Sequence, residues 1–408
     1  MAIIVQKYGG KSVATPELIR DIARRILRNK KKEDQIVVVV SAMGNTTDEL
    51  LKKADKISPN NNSREMDMLV SIGEQEAIAL MAMALQAEGH PAISLTGQQA
   101  GIHTDSRHMF ARITRINPKR IQEELTNGKI VVVAGFQGIT PQDEISTLGR
   151  GGSDLTAVAL AASLKAEVCE KYTDEIGVFT ANPKLVPDAR KIDMISYDEM
   201  IEMSSLGAKV LQARSVLFAK KQNVKIRVRS SIIEEDEGTL ITEVSKAMEK
   251  YAVTSIIPEK ESKITILGVP DRPGIAARVF GIIAQEEISV DMIIQNVSEE
   301  KKTDITFTVG RGNYKQALKV TNVIKDEIQA REVKGDDKIG KISVVGVGMR
   351  SAPGVAATMF QALSEKNINI EMISTSEIRI SCVIREEHLD EAVKILHETF
   401  RLGKKTGA

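Results

Sequence analysis

Residues 3–12, IIVQKYGGKS, decide the first part of the fold. The apolar run at 3–5 predicts a strand, and Gly9 and Gly10 predict a close turn directly after it. A helix is expected at 16–28, because Thr15 is a good N-cap and Pro16 suits the first helical position. A strand that runs through glycines into a helix is a unit from which parallel α/β sheets are built.

The alternation of strand and helix continues as far as residue 228. Further strands are predicted at 35–41, 91–96, 129–135, 167–173 and 224–228, and further helices at 47–57, 64–88, 154–164, 196–203 and 207–221. Residues 35–41, QIVVVVS, are almost continuously apolar, which is typical of a buried parallel strand. We therefore expect an α/β domain at 1–245, with an open, largely parallel sheet sandwiched by helices.

The last third of the chain is an internal repeat. Segments 264–294 and 342–374 are versions of one unit, with Pro273-Gly274 and Pro353-Gly354 at equivalent helix starts, 80 residues apart. Each unit opens with a strand, at 264–268 and 342–346, and continues with a helix, two strands and a second helix. The repeat predicts two ferredoxin-like βαββαβ domains, at 262–335 and 340–408.

The composition excludes several classes of partner. Lys and Arg number 56 against 55 Asp and Glu, so no net charge favours nucleic acid or a membrane surface. Aromatic residues are 3% of the chain and Trp is absent, which disfavours a base-stacking platform. The longest apolar run, 77–85, is too short for a bilayer, and the N-terminus does not resemble a secretory signal. We expect a cytoplasmic protein.

The reactive residue types give no metal or hydrolase pattern. Cys169 and Cys382 are far apart in sequence, and we expect both to be buried small hydrophobes in a reducing compartment. The five histidines have no metal-ligand spacing, and no Ser-His-Asp or Cys-His arrangement is suggested.

Two glycine-rich turns are candidates for phosphate and substrate binding. Lys7 lies in the first turn, where glycines allow a phosphate to approach the backbone and the lysine supplies a cation. The turn is not a Walker A sequence, and by itself it fits a plain structural turn equally well. The second turn, 149–154, contains Arg150, suited to a carboxylate, and Asp154, which orients lysines, caps the next helix, or does both.

Three further features add candidates from other parts of the first domain. Glu74 on helix 64–88 binds an ammonium group or is simply solvated. Residues 172–184 follow a strand at the edge of the sheet where nucleotides bind in open α/β folds. Gly207-Ala208-Lys209 opens a late helix, from which Lys209 points at phosphates.

Taken together, these motifs resemble the aspartate kinase branch of the amino acid kinase family over essentially the whole chain. The resemblance rests on residues 7–10 (KYGG), 41–44 (SAMG), 64–68 (REMDM), 149–154 (GRGGSD), 172–174 (YTD) and 374–378 (STSEI). The repeat at the C-terminus resembles a pair of ACT domains, which sense small ligands.

The resemblance implies transfer of the γ-phosphoryl group of ATP to the β-carboxylate of L-aspartate, with Mg²⁺ carried by the ATP and no separate metal site. The product, 4-phospho-L-aspartate, leads toward lysine, threonine and methionine. The residues implied are Lys7, Asp154 and Lys209 for catalysis; Lys7, Gly9, Gly10, Ser41, Thr173, Asp174, Phe179, Asn182, Pro183, Lys184 and Lys209 for ATP; and Thr47, Glu74, Arg150, Gly151, Gly152 and Ser153 for aspartate.

The ACT-like pair implies feedback inhibition by lysine, threonine or both, and a homo-oligomer formed through these domains. The residues that would frame the effector site are Asp271, Gly274, Ile275, Ala276, Gln295, Asn369, Ile370 and Ser376. A Pro-Gly turn at a helix start suits capture of a carboxylate, and it also suits a turn that only shapes the domain.

Three positions depart from the pattern of the family. Lys11 stands where Ser or Thr is usual, Asn182 replaces an Asp, and Lys184 replaces an Arg. Two other functions are alternatives: a related kinase acting on glutamate, acetylglutamate or a nucleotide, and a catalytically inactive regulatory protein that binds amino acids. The ACT-like pair and the motif at 64–69 disfavour the first. The retained Lys7, Arg150, Asp154 and Lys209 disfavour the second, whereas Lys11 and Asn182 leave it open.

Overall fold

The computed structural model describes residues 2–58, 62–208, 210–244, 252–297 and 302–403. The chain divides into two compact units, and the division is not a single cut. Met1–Phe179 and Lys191–Glu249 form the first unit, and Thr180–Arg190 joins Lys250–Ala408 in the second.

The first unit is built on an eight-stranded sheet. Its elements are β1 (Ile3–Tyr8), α1 (Pro16–Asn29), β2 (Gln35–Val40), α2 (Thr46–Ile57), α3 (Ser63–Val70), α4 (Ile72–Ala87), β3 (Ala92–Leu95), β4 (Ile102–Thr104), β5 (Ile113–Ile116), α5 (Lys119–Thr126), β6 (Ile130–Ala134), β7 (Gln137–Ile139), β8 (Ile145–Thr147), α6 (Gly152–Leu164), β9 (Val168–Thr173), β10 (Val178–Phe179), β11 (Lys191–Ile192), β12 (Met194–Ser196), α7 (Tyr197–Ser205), α8 (Ala213–Gln222), β13 (Ile226–Ser230) and β14 (Thr239–Thr242).

The strand order is β12-β14-β13-β9-β1-β2-β6-β3, and every neighbouring pair except β13–β14 is parallel. One face is covered by α1 and α4, whose apolar stripes, including Ile22, Ile26, Met81 and Leu85, are fully or almost fully buried. Helix α6 packs near β1 and β9 and is buried along most of its length. The predicted parallel α/β fold is confirmed.

Two sequence predictions for this unit were wrong in detail, and one small sheet was missed. Helix 64–88 is interrupted at Ser71 and forms α3 and α4. Helix α8 begins at Ala213 rather than at residue 207, because Gly207 has a φ of +91° and is not helical. The four-stranded sheet β5-β4-β7-β8 was not predicted from the sequence, because its strands are short and partly polar.

The stretch Ser63–Ala87 is long and apolar enough, by length and composition alone, to cross a membrane. Half of its apolar window is buried inside the protein, and α4 packs against α1, β3 and β6. It is therefore a core helix of this unit, the common reason for a helix of a globular protein to pass such a test.

The second unit contains one six-stranded antiparallel sheet, ordered β16-β17-β15-β18-β20-β19. Its elements are β15 (Ser255–Pro270), α9 (Ile275–Gln285), β16 (Val290–Val297), β17 (Lys302–Gly310), α10 (Tyr314–Ile324), β18 (Glu332–Val345), α11 (Val355–Ser364), β19 (Met372–Thr375), β20 (Arg379–Arg385) and α12 (Leu389–Thr399). Gly274 and Gly354 are the N-caps of α9 and α11 with φ of +96° and +94°, a conformation that glycine adopts without strain.

Two long central strands join the two repeats into this sheet. β15 has 16 residues and β18 has 14, so both start well before the predicted positions 264 and 342. The C-terminal half of β15 pairs with β17, while its N-terminal half pairs with the part of β18 that adjoins β20. Each repeat thus completes its four strands with a stretch of chain that is continuous with the other repeat.

The segment Thr180–Arg190 is held by hydrogen bonds within the second unit. Thr180 is fully buried; its carbonyl oxygen accepts a bond from the backbone N–H of Ile256, and its hydroxyl lies 3.0 Å from His397 Nε2. The hydroxyl also donates to the carbonyl oxygen of Leu402. Ala189 forms an isolated β-bridge with Gly403.

Candidate active site

A buried carboxylate between two lysines lies at the carboxyl ends of the central strands. Lys7 on β1 and Lys171 on β9 are direct register partners in parallel strands, so their side chains share one face of the sheet. Asp154, the third residue of α6, reaches both: its Oδ1 lies 2.7 Å from Lys7 Nζ, and its Oδ2 lies 2.5 Å from Lys171 Nζ. The sequence pointed to Lys7 and Asp154 but not to Lys171.

The charges of this cluster are strongly coupled because water is almost excluded. Burial alone would raise the pKa of Asp154, but Lys171 and Lys7 more than offset it and hold that pKa at about 2. Burial, helped by Lys7, lowers the pKa of Lys171 although Asp154 opposes the shift. The expectation that Asp154 caps the helix was wrong, since Gly151 is the N-cap and α6 begins at Gly152. The geometry shows that Asp154 orients Lys7 and Lys171 instead.

The first glycine turn packs directly on the loop after β2. A Cβ on Gly10 would lie 2.7 Å from the carbonyl oxygen of Ala42, so no other residue fits without moving the backbone. Gly44 donates its backbone N–H to the carbonyl oxygen of Gly10, and Ser41 donates to that of Tyr8. The structure therefore brings Gly9, Gly10 and Ser41 together near Lys7, as the predicted phosphate path requires.

Glu74 is a second buried carboxylate, and its environment differs from that of Asp154. The Oε1 atom accepts the backbone N–H of Ala42 at 3.1 Å, and Oε2 has no hydrogen-bond partner among the described residues. Burial raises the pKa of Glu74 to about 7, with the Ala42 bond and Lys7 opposing the shift. The interpretation of Glu74 as a solvated surface residue was wrong.

The second glycine turn presents Arg150 to solvent above this cluster. Gly149 and Gly151 have φ of +74° and +72°, and Gly152, Ser153 and Asp154 are buried behind them. Arg150 is exposed and makes no ion pair within the part of the chain that the structure describes. Thr47, in the first turn of α2, is half-buried.

Asp67 is a buried residue that the sequence did not mark out, although it belongs to the 64–68 motif. Its carboxylate accepts the hydroxyl of Thr147 at 2.5 Å and the backbone N–H of Met109 at 3.0 Å, and it lies 2.8 Å from His108 Nδ1. Met109 has a φ of +66°, and its carbonyl oxygen lies next to Gly149. Asp67 thus anchors α3 to the strand that leads into the turn with Arg150.

The predicted nucleotide-binding residues fall in both compact units. In the first, Thr173 and Asp174 follow β9, and Phe179 ends β10; the exposed Lys11 pairs with Asp174 at 3.1 Å. In the second, Asn182 starts a turn in which its Oδ1 accepts the backbone N–H of Lys184 and its carbonyl oxygen accepts those of Leu185 and Val186; Pro183 lies within that turn. Lys209 lies outside the described residues.

The predicted effector residues lie at two distant places in the second unit. Asp271, Gly274, Ile275 and Ala276 surround the start of α9, and Gln295 is on edge strand β16; Asn369, Ile370 and Ser376 flank the opposite edge strand, β19. Four strands separate β16 from β19, a distance of roughly 24 Å at the usual strand spacing. One chain does not bring the two groups together.

Comparison with protein families and known proteins agrees with this geometry. The amino acid kinase family model matches residues 2–230, and ACT domain models match residues 263–326 and 342–400. An aspartokinase of Mycolicibacterium smegmatis is 50% identical over 99% of this chain and 97% of its own length. An aspartate kinase of Stutzerimonas stutzeri is 51% identical over 100% of this chain and 99% of its own length.

Solved structures of aspartate kinases are also similar to this chain. The aspartate kinase from Synechocystis is 44% identical, with a TM-score of 0.55, over 98% of this chain and 70% of that chain. E. coli aspartokinase III in complex with aspartate and ADP is 25% identical, with a TM-score of 0.78, over 97% of this chain and 99% of that chain. The chain therefore belongs to the aspartokinase group of the amino acid kinase family. The family resemblance and fold class expected from the sequence are confirmed.

Proposed function

We propose that the cluster of Lys7, Asp154 and Glu74 performs the reaction of this family, phosphorylation of the β-carboxylate of L-aspartate by ATP. The chain is a kinase by its family membership. The observation that carries the assignment of the site is Asp154, buried between two lysines beneath two glycine turns. Relatives at about half identity over the full length are named as kinases, so an inactive regulatory protein is not favoured.

The reaction needs positioning and charge stabilisation more than acid–base chemistry. An oxygen of the β-carboxylate attacks the γ-phosphorus, the bond from that phosphorus to the bridging oxygen breaks, and ADP departs with the electron pair. No proton moves, because the attacking carboxylate is already ionised at neutral pH. Lys7 stabilises the charge on the phosphoryl oxygens in flight, and Asp154 fixes the direction in which the lysine points.

Aspartate is held by its three charged groups. The free Oε2 of Glu74 accepts the ammonium group, since a buried carboxylate with an unused oxygen gains most from a cation. Arg150 binds the α-carboxylate through two parallel hydrogen bonds, and Thr47 and the turn of Gly151, Gly152 and Ser153 contact the rest of the substrate. Glutamate, with one more methylene, would carry its carboxylate past the phosphoryl group.

ATP binds along the first glycine turn. Gly9, Gly10 and Ser41 approach its phosphates, and the further residues assigned to the nucleotide are Thr173, Asp174, Phe179, Asn182, Pro183, Lys184 and Lys209. Mg²⁺ would be carried by ATP and would offset part of the negative charge of its phosphates. Among the described residues, no group of three or more His, Cys, Asp or Glu side chains is arranged so that it could hold a metal ion. E. coli aspartokinase III, crystallised with aspartate and ADP, supports both ligands for this chain.

Regulation is assigned to the second unit. We take 1–245 as the catalytic domain and 262–335 and 340–408 as ACT domains that bind lysine, threonine or both as feedback inhibitors. E. coli aspartokinase III was also crystallised with lysine in a T-state. The effector residues lie on opposite sheet edges, so pairing of sheet edges between chains would bring the two groups together in a homo-oligomer, a dimer or a larger assembly. We place the enzyme in the cytoplasm.

An aspartyl hydroxamate assay tests the proposal. Purified protein with ATP and Mg²⁺ should form product with aspartate and not with glutamate, and added lysine or threonine should suppress it. Lys7→Met is the matched control, since it removes the cation and keeps the volume. Absence of product from folded protein that binds lysine or threonine would overturn the proposal, and product from Lys7→Met at the wild-type rate would overturn the assignment of the site.

A further inference from the structure

Lys171 is a buried cation to which the family resemblance gives no role. It stands beside Lys7 on the neighbouring strand, in register, and it pairs with the second oxygen of Asp154. Residues one position away, Glu170 and Tyr172, point to the other face, where Glu170 accepts bonds from Gln6 and Tyr172. Because successive side chains of a strand point to opposite faces, Lys171 lies on the face that carries Lys7 and Asp154.

The three side chains of Lys7, Lys171 and Asp154 together carry more positive than negative charge. Lys7, Lys171 and Asp154 leave 9%, 14% and 6% of their side chains exposed, and the two lysines share one carboxylate. Buried charge without a counterion is costly, and an anion that enters the site removes that cost. A transferred phosphoryl group, with charge on three equatorial oxygens, is an anion of the required kind.

We propose that Lys171 is a further catalytic residue, whose Nζ contacts the transferred phosphoryl group together with that of Lys7. The proposal rests on the proposed function. Asp154 then holds two ammonium groups at a fixed separation before the substrate arrives, so both donors are in place when charge develops in the transition state. The step transfers no proton to or from Lys171.

The competing interpretation is that Lys171 only neutralises Asp154. In that case its loss would destabilise the protein and displace Asp154, with similar effects on the binding of ADP and of the phosphoryl group. A direct contact predicts a different pattern. Replacement of Lys171 would weaken interactions with the transferred group and leave the affinity for ADP, which lacks that group, nearly unchanged.

The test compares Lys171→Met and Lys171→Arg with wild type and with Lys129→Met. Lys129 is the matched control, because it also pairs with a carboxylate of the first unit, that of Glu124 at 2.8 Å, and lies outside the proposed site. We expect kcat of Lys171→Met to fall about 100-fold, with little change in KM for aspartate, and Lys129→Met to keep its kcat. Lys171→Arg keeps the charge and should retain an intermediate rate.

Ligand binding separates the two interpretations. Calorimetry with ADP, and with ADP plus Mg²⁺ and aluminium fluoride as a mimic of the transferred group, should show Lys171→Met losing affinity for the second combination only. Equal losses for both, or a kcat within about threefold of wild type, would overturn the proposal. A wild-type protein without kinase activity would overturn the proposed function instead, while the binding comparison would still report on Lys171. If Lys171→Met fails to fold, Lys171→Arg gives the same comparison.

Discussion

Each of the two units contains a buried cluster of opposite charges, and the two clusters compared below have opposite signs in excess. In the first unit one carboxylate, Asp154, serves two lysines. In the second unit one lysine, Lys341 on β18, contacts three carboxylates: Glu259 and Glu261 of β15 and Asp291 of β16. Lys341 is almost fully buried, with 2% of its side chain exposed.

This difference distinguishes a site that binds a ligand from a structural junction between strands. Lys341 lies where the two repeats share their long strands. Its ammonium group contacts carboxylates on β15 and β16, so the side chain links β18 to these two strands of the same sheet. Burial would lower its pKa, but the surrounding carboxylates more than compensate and raise it. The Asp154 cluster lies instead at the ends of strands beneath open turns. Excess positive charge there suits an arriving phosphoryl group, whereas the Lys341 cluster is closed by the protein itself.

The largest effect is expected from Asp154→Asn. Loss of the carboxylate leaves two buried lysines without a counterion, so kcat should fall by at least about 100-fold. The stability of the first unit should drop by about 3–5 kcal/mol. Steady-state kinetics and urea unfolding measure the two effects. A variant with near-normal kcat would show that Asp154 is a junction like Lys341, and the comparison would fail.

Lys341→Met should act on stability and not on catalysis. Three carboxylates would lose their cation, one of them Glu261, which is almost fully buried, so the second unit should lose about 3–5 kcal/mol. Adding Glu261→Gln should recover part of this loss, because it removes the most buried of the orphaned charges. Hydrogen exchange in β15 and β18 reports the change. A loss of kcat as large as that of Asp154→Asn would contradict the distinction.

Glu74 sharpens the comparison, because it is a buried carboxylate that no lysine contacts directly. Its folded pKa, about 7, exceeds the usual unfolded value, so the folded state holds its proton more tightly and stability falls as pH rises from about 4.5 through 7. At about pH 8, ionisation of the buried Glu74 should lower the free energy of unfolding by on the order of 3 kcal/mol, and Glu74→Gln should remove this destabilisation.

The same residue predicts a pH dependence of substrate binding. Only ionised Glu74 attracts the ammonium group, so kcat/KM for aspartate should fall as pH decreases through about 7. Glu74→Gln should flatten this limb and raise KM for aspartate by roughly 30-fold. Kinetics across the pH range, with Gln75→Glu as a control for added charge on α4, would detect either result. An unchanged limb in Glu74→Gln would assign the titration to another group.

The smallest effect is expected from Lys11→Ser. Lys11 pairs with Asp174, but the two side chains are 84% and 51% exposed, and such pairs contribute less than about 1 kcal/mol. The KM for ATP should therefore change by less than about fivefold, and the change should shrink as salt is added. A larger change that persists in salt would show that Lys11 contacts a phosphate directly.

Much of the fold could be predicted from the sequence, as could two of the three residues of the cluster of Lys7, Asp154 and Lys171. Lys7 and Asp154 stand beside glycine turns between a strand and a helix, where local backbone requirements limit the choice of residue. Lys171 lies within the C-terminal half of β9 with no glycine turn beside it, and only the register between β1 and β9 brings it near Lys7. Asp67 is similar, because its partners Met109 and Thr147 are 42 and 80 residues away in sequence.

The long strands of the second unit were missed for a related reason. The early part of β15 contains Glu259 and Glu261, and charged residues interrupt the apolar alternation by which strands are recognised. In the folded sheet these charges are neutralised by Lys341, which comes from β18, about 80 residues later. The pattern of hydrophobicity along the chain contains no information about charge pairs between strands.

The path of the chain through Thr180–Arg190 limits how this enzyme can be divided. The polypeptide passes from the first unit to the second and back before it enters the second unit for its remaining length. A gene fragment that ends near residue 245 would keep Thr180 and Ala189 but lack Ile256, His397, Leu402 and Gly403, with which they bond. Exchange of regulatory halves between relatives by one crossover would join this segment to a foreign surface. Such chimaeras need two matched exchanges, which ties the inheritance of the regulatory half to that of the catalytic half.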